Sequence, residues 1–190
     1  MANPELDFYE NFFSQKESTV FLKALSQEIQ WKQKSIQMFG KSILEPRLTA
    51  WYGDPSAVYT YSGVSMTPHP WISTLLKIKS RVENACAAQF NSVLLNLYRD
   101  HRDSMGMHSD DEPELGPRPT IASLSIGEER VFSFKLKHSQ SKSVSVALAS
   151  GSLLLMRGDT QQNWKHGIAK STRPMGPRVN FTFRRILSKV

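Results

Sequence analysis

From Val93 onward the chain breaks into short runs of β-type residues: Val93 to Tyr98, Thr120 to Ile126, Val131 to Leu136, Val144 to Leu148, Gly151 to Met156 and Arg178 to Phe183. Polar or Gly- and Pro-containing segments separate them. Several short strands at this spacing predict an antiparallel sandwich or jelly roll, as in cupin-like barrels. Earlier strands are expected at Leu48 to Tyr52 and Val58 to Ser62, with a hairpin around Met38-Phe39-Gly40. Helical spacing occurs only upstream of the β-rich half. Phe21, Leu25 and Ile29 recur every four residues behind the polar stretch Ser14 to Thr19, and a second helix is expected to start near His69-Pro70-Trp71, carrying Ile72, Leu75, Leu76, Val82 and Cys86 as its apolar stripe. The predicted class is α+β, mainly β: a jelly-roll core with the N-terminal helices packed outside.

A chain of 190 residues fits one domain, 1–190, and shows neither an internal repeat nor a dividing linker. Lys and Arg exceed Asp and Glu by 24 to 17, and a net charge of +7 favours a polyanionic partner, nucleic acid first. Cys86 stands alone, which excludes an internal disulfide and a multi-thiolate metal site and fits a reducing compartment. Glu5, Asp7 and Glu10 replace the basic start of a signal peptide, and the aliphatic run Leu153 to Met156 is far below bilayer length. An intracellular protein without membrane attachment is expected.

The segment richest in chemistry runs from Asn96 to Glu112, where two His-x-Asp pairs compete: His101 with Asp103, and His108 with Asp110. Residues two apart on a strand point the same way, so either pair can offer an imidazole and a carboxylate to one ion. Context favours the second. His101 and Asp103 lie in the all-polar run Arg99 to Ser104, whereas Met105-Gly106-Met107 can return the chain toward the interior just before His108. A second histidine would complete a two-His, one-carboxylate set that leaves positions open for co-substrate and oxygen. His69 sits between prolines, and His138 lies at a hydrophilic hairpin tip. His166 is better placed, following a core strand and preceding Gly167, though a structural histidine is the competing reading there.

Pro177 to Arg184 alternates strictly, with Val179, Phe181 and Phe183 on one face and Arg178, Asn180, Thr182 and Arg184 on the other. A solvated outer face would explain such a polar row. The two arginines nevertheless stand about 20 Å apart, at about 3.3 Å per residue. Inward-leaning guanidiniums can span that distance around a small dicarboxylate, and their planar forks suit its ends.

Asn96-x-Tyr98, His108-x-Asp110-Asp-Glu, His166 and Pro177-Arg-Val-Asn-Phe-Thr-Phe-Arg184, with Pro46-Arg47, Tyr52-Gly-Asp and Tyr59-Thr-Tyr-Ser-Gly63 upstream, together resemble the AlkB family of 2-oxoglutarate dioxygenases, in particular its human-type homologue 2 and 3 branch. The resemblance covers roughly residues 36–187. It implies a double-stranded β-helix in which His108, Asp110 and His166 bind iron(II), with 2-oxoglutarate as co-substrate and O2 as oxidant. Asn96, Tyr98, Arg178, Asn180, Thr182 and Arg184 would hold the co-substrate, Arg178 pairing with its distal carboxylate. Removal of methyl groups from 1-methyladenine and 3-methylcytosine in DNA is the implied activity; RNA or protein methyl groups are the alternative targets.

The resemblance also divides the chain into an N-terminal helical region (1–35), a nucleotide-recognition region (36–65) and a catalytic core (90–187). Tyr59, Tyr61, Ser62, Asp111 and Glu112 would line the base pocket, carboxylates suiting a cationic methylated base. Phe39 would fill the gap left by a flipped base, and Arg47 would contact phosphate. A monomer is expected, cytoplasmic if bacterial and nuclear if eukaryotic.

Overall fold

A computed structural model of the chain describes residues 3–38, 41–61, 64–138 and 143–187, with the backbone alone at 36–38, 41, 59–61 and 64–66. In chain order the elements are β1 (Glu5–Tyr9), α1 (Gln15–Glu28), β2 (Ser35–Met38), β3 (Lys41–Leu44), β4 (Leu48–Gly53), β5 (Tyr59–Tyr61), β6 (Val64–Met66), α2 (Ser73–Cys86), β7 (Ser92–Tyr98), β8 (Met105–His108), β9 (Ile121–Gly127), β10 (Arg130–Leu136), β11 (Ser143–Leu148), β12 (Leu153–Arg157), α3 (Thr160–Asn163), β13 (Trp164–Ile168) and β14 (Arg178–Arg184). A six-stranded sheet, β1-β12-β9-β14-β7-β4, lies against a four-stranded sheet, β11-β10-β13-β8. Their strand pairings are antiparallel, as the short punctuated runs require. This is the jelly roll expected.

Period-two alternation in the large sheet sends side chains into two separate cores. Val93 and Leu95 of β7, Leu153 and Leu155 of β12, and Val179, Phe181 and Phe183 of β14 join Leu25 of α1 and Leu75, Ile78 and Val82 of α2. The intervening residues Tyr98, Ile121, Leu154 and Met156 face the small sheet, where Phe132, Phe134, Trp164 and Ile168 meet them. Fully burying each large apolar side chain contributes about 1.5–3 kcal/mol, so the helical layer is a structural half of the molecule and leaves the inter-sheet space for chemistry.

Ser14 caps α1 through a reciprocal capping box with Glu17, so the polar stretch read as preceding the helix forms its first turn. The second helix starts at Ser73, later than expected, because the backbone of His69 is held by Trp51 and Gly53 beside β4. Four strands were not anticipated, one of them β6, which pairs with β5. β1 extends the large sheet from within the region expected to be helical, while β8 and β13 complete the small sheet. Met38 and Lys41 pair across the expected hairpin, whose residues Phe39 and Gly40 lie outside the described ones. Among the described residues no helix is long and apolar enough to cross a membrane.

Candidate metal and co-substrate site

His108 closes β8 and His166 lies on β13, and the strand register sets them directly opposite each other with ring centroids 4.5 Å apart. Gly167 permits this approach: a Cβ there would stand 2.8 Å from the Met105 carbonyl oxygen and 3.0 Å from that of Gly106. Asp110, two residues past His108, brings Oδ1 to 3.6 Å from His108 Nε2 and Oδ2 to 4.0 Å from His166 Nε2. The three donor atoms fall within 4.8 Å of one another, and among the described residues they form the sole grouping of three His, Cys, Asp or Glu with such spacing. The rival pair is eliminated. Asp103 is buried and accepts hydrogen bonds from the backbone N–H, Nε and Nη2 of Arg99, which bends the turn after β7.

Electrostatics suit the trio to a cation. Burial would raise the Asp110 carboxyl, but Arg184, His166 and His108 outweigh it and hold the group at about 2, so it is charged at neutral pH. Burial between Phe132 and Phe134, with ring centroids 5.1 and 5.9 Å away, pushes His166 down to about 4 and keeps it neutral with a lone pair to give. His108 Nδ1 stands 2.9 Å from the Gly106 carbonyl; donating there leaves Nε2 for a metal. Asp110 Oδ2 is buried without a hydrogen-bond partner, a costly state that coordination would relieve. Two imidazoles, one carboxylate and an orphaned carboxylate oxygen fit a divalent first-row ion such as iron(II).

The polar row of β14 is buried, contrary to the solvated face that its alternation alone permits. Arg178, Asn180 and Thr182 are 1%, 7% and 8% exposed. They are paired in register with Tyr98, Asn96 and Leu94 of β7 and, on the other flank, with Gly127, Ser125 and Ser123 of β9. Asn180 donates to Ser123 Oγ at 2.9 Å, Thr182 donates to Asn180 Oδ1 at 3.0 Å, and Arg178 Nη2 donates to Ser125 Oγ at 2.8 Å. Arg178 Nε and Nη1 are buried without acceptors, and the guanidinium is otherwise met by the neutral hydroxyls of Ser125 and Tyr98 with no carboxylate, so the fork is prepared for an anion. Burial pushes Arg178 down to about 10 and raises Tyr98, leaving the first charged and the second neutral. At the other end of the strand, Arg184 Nη2 donates to Asp110 Oδ1 at 2.7 Å and joins the row to the metal trio. One cavity of about 480 Å³ takes in both ends.

The remaining expected residues are placed unevenly. Glu112 lines the cavity, whereas Asp111 is half exposed and held by Lys137 Nζ at 2.8 Å. Arg47 lines the cavity too; its Nε donates to Asn96 Oδ1 at 3.0 Å and its Nη2 pairs with Glu45 at 3.1 Å, so its guanidinium is committed to the wall where a phosphate contact was expected. Tyr59 and Tyr61 lie on β5 with only their backbone described, and Ser62 and Phe39 fall outside the described residues. Sequence reasoning missed Ser123 and Ser125, although they alternate with Ala122, Leu124 and Ile126 on β9 and so had the pattern of a polar inner face. It also missed Gln161 of α3, whose Oε1 accepts from the Asp110 backbone N–H at 3.0 Å and fixes the ligand's peptide. No local pattern marks that residue.

A jelly roll with a clustered His, Asp, His trio between its sheets and a buried arginine slot beside it defines a non-haem iron oxygenase class. Comparison with known proteins agrees, for residues 5–184 match the 2OG-Fe(II) oxygenase superfamily. The chain is 41% identical over 187 residues to mouse alpha-ketoglutarate-dependent dioxygenase alkB homolog 3, covering 94% of this chain and 65% of that protein. It is 39% identical over 189 residues to the human DNA oxidative demethylase ALKBH2, covering 94% of this chain and 72% of that one. The solved structure of OsALKBH1 shares the fold, with a TM-score of 0.64 at 18% identity over 97% of this chain and 100% of that one. The chain thus belongs to the 2OG-Fe(II) oxygenase superfamily, within its AlkB family. It spans about 65% of the length of the alkB homolog 3 relative.

Proposed function

We propose that this chain is an iron(II)- and 2-oxoglutarate-dependent dioxygenase that demethylates N-alkylated bases, 1-methyladenine and 3-methylcytosine, in DNA. The observation that carries this reading is a single cavity with the unsatisfied fork of Arg178 in its wall and the His108, Asp110, His166 trio in the same space. His108, Asp110 and His166 would hold iron(II), which would supply the chemistry by which O2 gives one oxygen atom to 2-oxoglutarate, yielding succinate and carbon dioxide, and the other to the methyl carbon, released as formaldehyde. Arg178, Asn180, Thr182, Asn96 and Tyr98 bind and orient the co-substrate. Phe132 and Phe134 keep the histidine side of the site dry. Glu112 in the cavity wall supplies a carboxylate toward a cationic base.

A base within a duplex must leave the stack to enter this cavity. Tyr59, Tyr61, Ser62 and Phe39 are assigned to that base and the gap it leaves on the strength of the resemblance, and the relatives' printed names support DNA as the polymer. The net charge of +7 suits such a partner, met by a monomeric chain. The test incubates methylated single- and double-stranded DNA and RNA oligonucleotides with protein, iron, ascorbate and 2-oxoglutarate, reading oligonucleotide mass and formaldehyde. Methyl loss from DNA is expected. Slow succinate formation with no oligonucleotide demethylated would overturn the repair reading.

A further inference from the structure

The established elements of the slot do not account for Arg130, a buried charge at 3% exposure where the chain crosses from β9 in the large sheet to β10 in the small one. Gly127 opens that crossing at φ 104°, against the Pro177 carbonyl, and delivers Arg130 beneath the site. Its Nη2 donates to the carbonyls of Asp103 at 3.0 Å and Ala169 at 2.6 Å, and its Nη1 to that of Asp100 at 3.4 Å. Those carbonyls belong to the turn joining β7 to β8 and to the chain leaving β13, so one side chain ties together three connections at one end of the barrel. Among the described residues no carboxylate forms an ion pair with it. Of the acids near it, Asp100 is held by Arg102 and Asp103 by Arg99, while Glu128 attracts it from a distance without an ion pair.

Tyr98 joins Arg130 to the co-substrate slot. The Arg130 guanidinium lies 5.5 Å from the Tyr98 ring centroid, and that of Arg178 lies 5.1 Å from the same centroid. Two buried guanidiniums therefore share one aromatic ring, and neither has a carboxylate of its own. At the metal end, by contrast, Arg184 is matched by Asp110. The slot is thus electrically asymmetric, with unmatched positive charge gathered at the Tyr98 end, where a dianion gains most in a low-dielectric wall.

We propose that Arg130 is a positioning and specificity-determining residue for the co-substrate: it fixes Tyr98 and adds a second cation behind Arg178, so that the slot selects a 2-oxo dicarboxylate over a 2-oxo monocarboxylate. The proposal rests on the co-substrate reading above and adds a residue that does not touch the ligand. Burial of both guanidiniums, each lowered from its ordinary value, marks the tension that a bound dianion relieves.

Binding of 2-oxoglutarate and of 2-oxobutyrate to the manganese(II)-loaded full chain, followed calorimetrically, separates charge selection from general damage. Arg130→Met is expected to weaken 2-oxoglutarate about tenfold or more and leave 2-oxobutyrate within twofold. In turnover, the 2-oxoglutarate KM should rise by the same factor with kcat at saturation within about twofold to threefold. Arg130→Lys should restore most of the preference. Unchanged 2-oxoglutarate binding in Arg130→Met, or equal weakening of both acids, overturns the proposal. Should Arg130→Met fail to fold, loss of the dicarboxylate preference in Arg130→Lys overturns it as well. Wild-type protein that does not prefer 2-oxoglutarate would instead overturn the co-substrate reading itself, before any variant is compared.

Discussion

His166 is held neutral by its surroundings, and this has a pH signature in the metal-free protein. Its ordinary value is 6.5 and burial lowers it to about 4 in the fold. Above pH 6.5 the folded and unfolded chains both carry it neutral and it contributes no pH dependence. As pH falls from 6.5 toward 4 the unfolded chain takes up a proton that the folded one refuses, and stability drops. The full difference amounts to about 3 kcal/mol, at 1.36 kcal/mol per unit. Urea unfolding of metal-free protein at pH 7 and pH 4.5 should therefore show a loss for wild type larger by about 2–3 kcal/mol than for His166→Gln, and equal losses would mean that the ring is not desolvated. The residues themselves made His108 and Asp110 legible as a pair, because a glycine-containing return precedes them. His166 was legible only as the best of three histidines, since its pairing with His108 is a long-range register that no neighbouring residue records.

Strand β14 divides the molecule, and its two faces should respond to substitution differently. Its alternation was fully readable in the sequence. Which face met water was not, because alternation states that a strand has two environments without saying that both are buried. The second sheet decides it, and half of that sheet was invisible. Met105-Gly106-Met107-His108 and Trp164-Lys165-His166-Gly167 carry too little β-type periodicity to predict β8 and β13; β13 forms by pairing with β10, and β8 by pairing with β13. On the helical face, Phe181→Ala removes a fully buried ring packed beneath α1 and α2 and should cost about 3–5 kcal/mol in chemical denaturation. On the slot face, Thr182→Val keeps the shape but removes the hydroxyl that donates to Asn180 Oδ1. That change should cost about 1 kcal/mol of stability and raise the 2-oxoglutarate KM severalfold. A stability loss for Thr182→Val as large as that for Phe181→Ala would show that the row serves the core.

At the scale of the whole molecule, the metal trio comes from the small sheet and the turn beyond β8, while the slot residues come from β7 and β14 of the large one. The direct side-chain bond joining trio and slot is that from Arg184 to Asp110 at 2.7 Å. Metal and co-substrate therefore occupy a space whose walls belong to different sheets, and filling it should clamp the sheets together. A ligand at a hundred times its Kd stabilises the folded state by about 2.7 kcal/mol, which for a chain of this size corresponds to a rise in Tm of roughly 5–11 °C. Manganese(II) and 2-oxoglutarate added together should raise Tm by that order, and by more than the sum of the two added singly, because each completes the wall that the other needs. Arg184→Met cuts the link between the sheets and should reduce the joint shift to the sum of the separate ones. Strict additivity in the wild-type protein, measured by thermal unfolding across a matrix of both concentrations, would mean that trio and slot are independent sites that merely share a cavity.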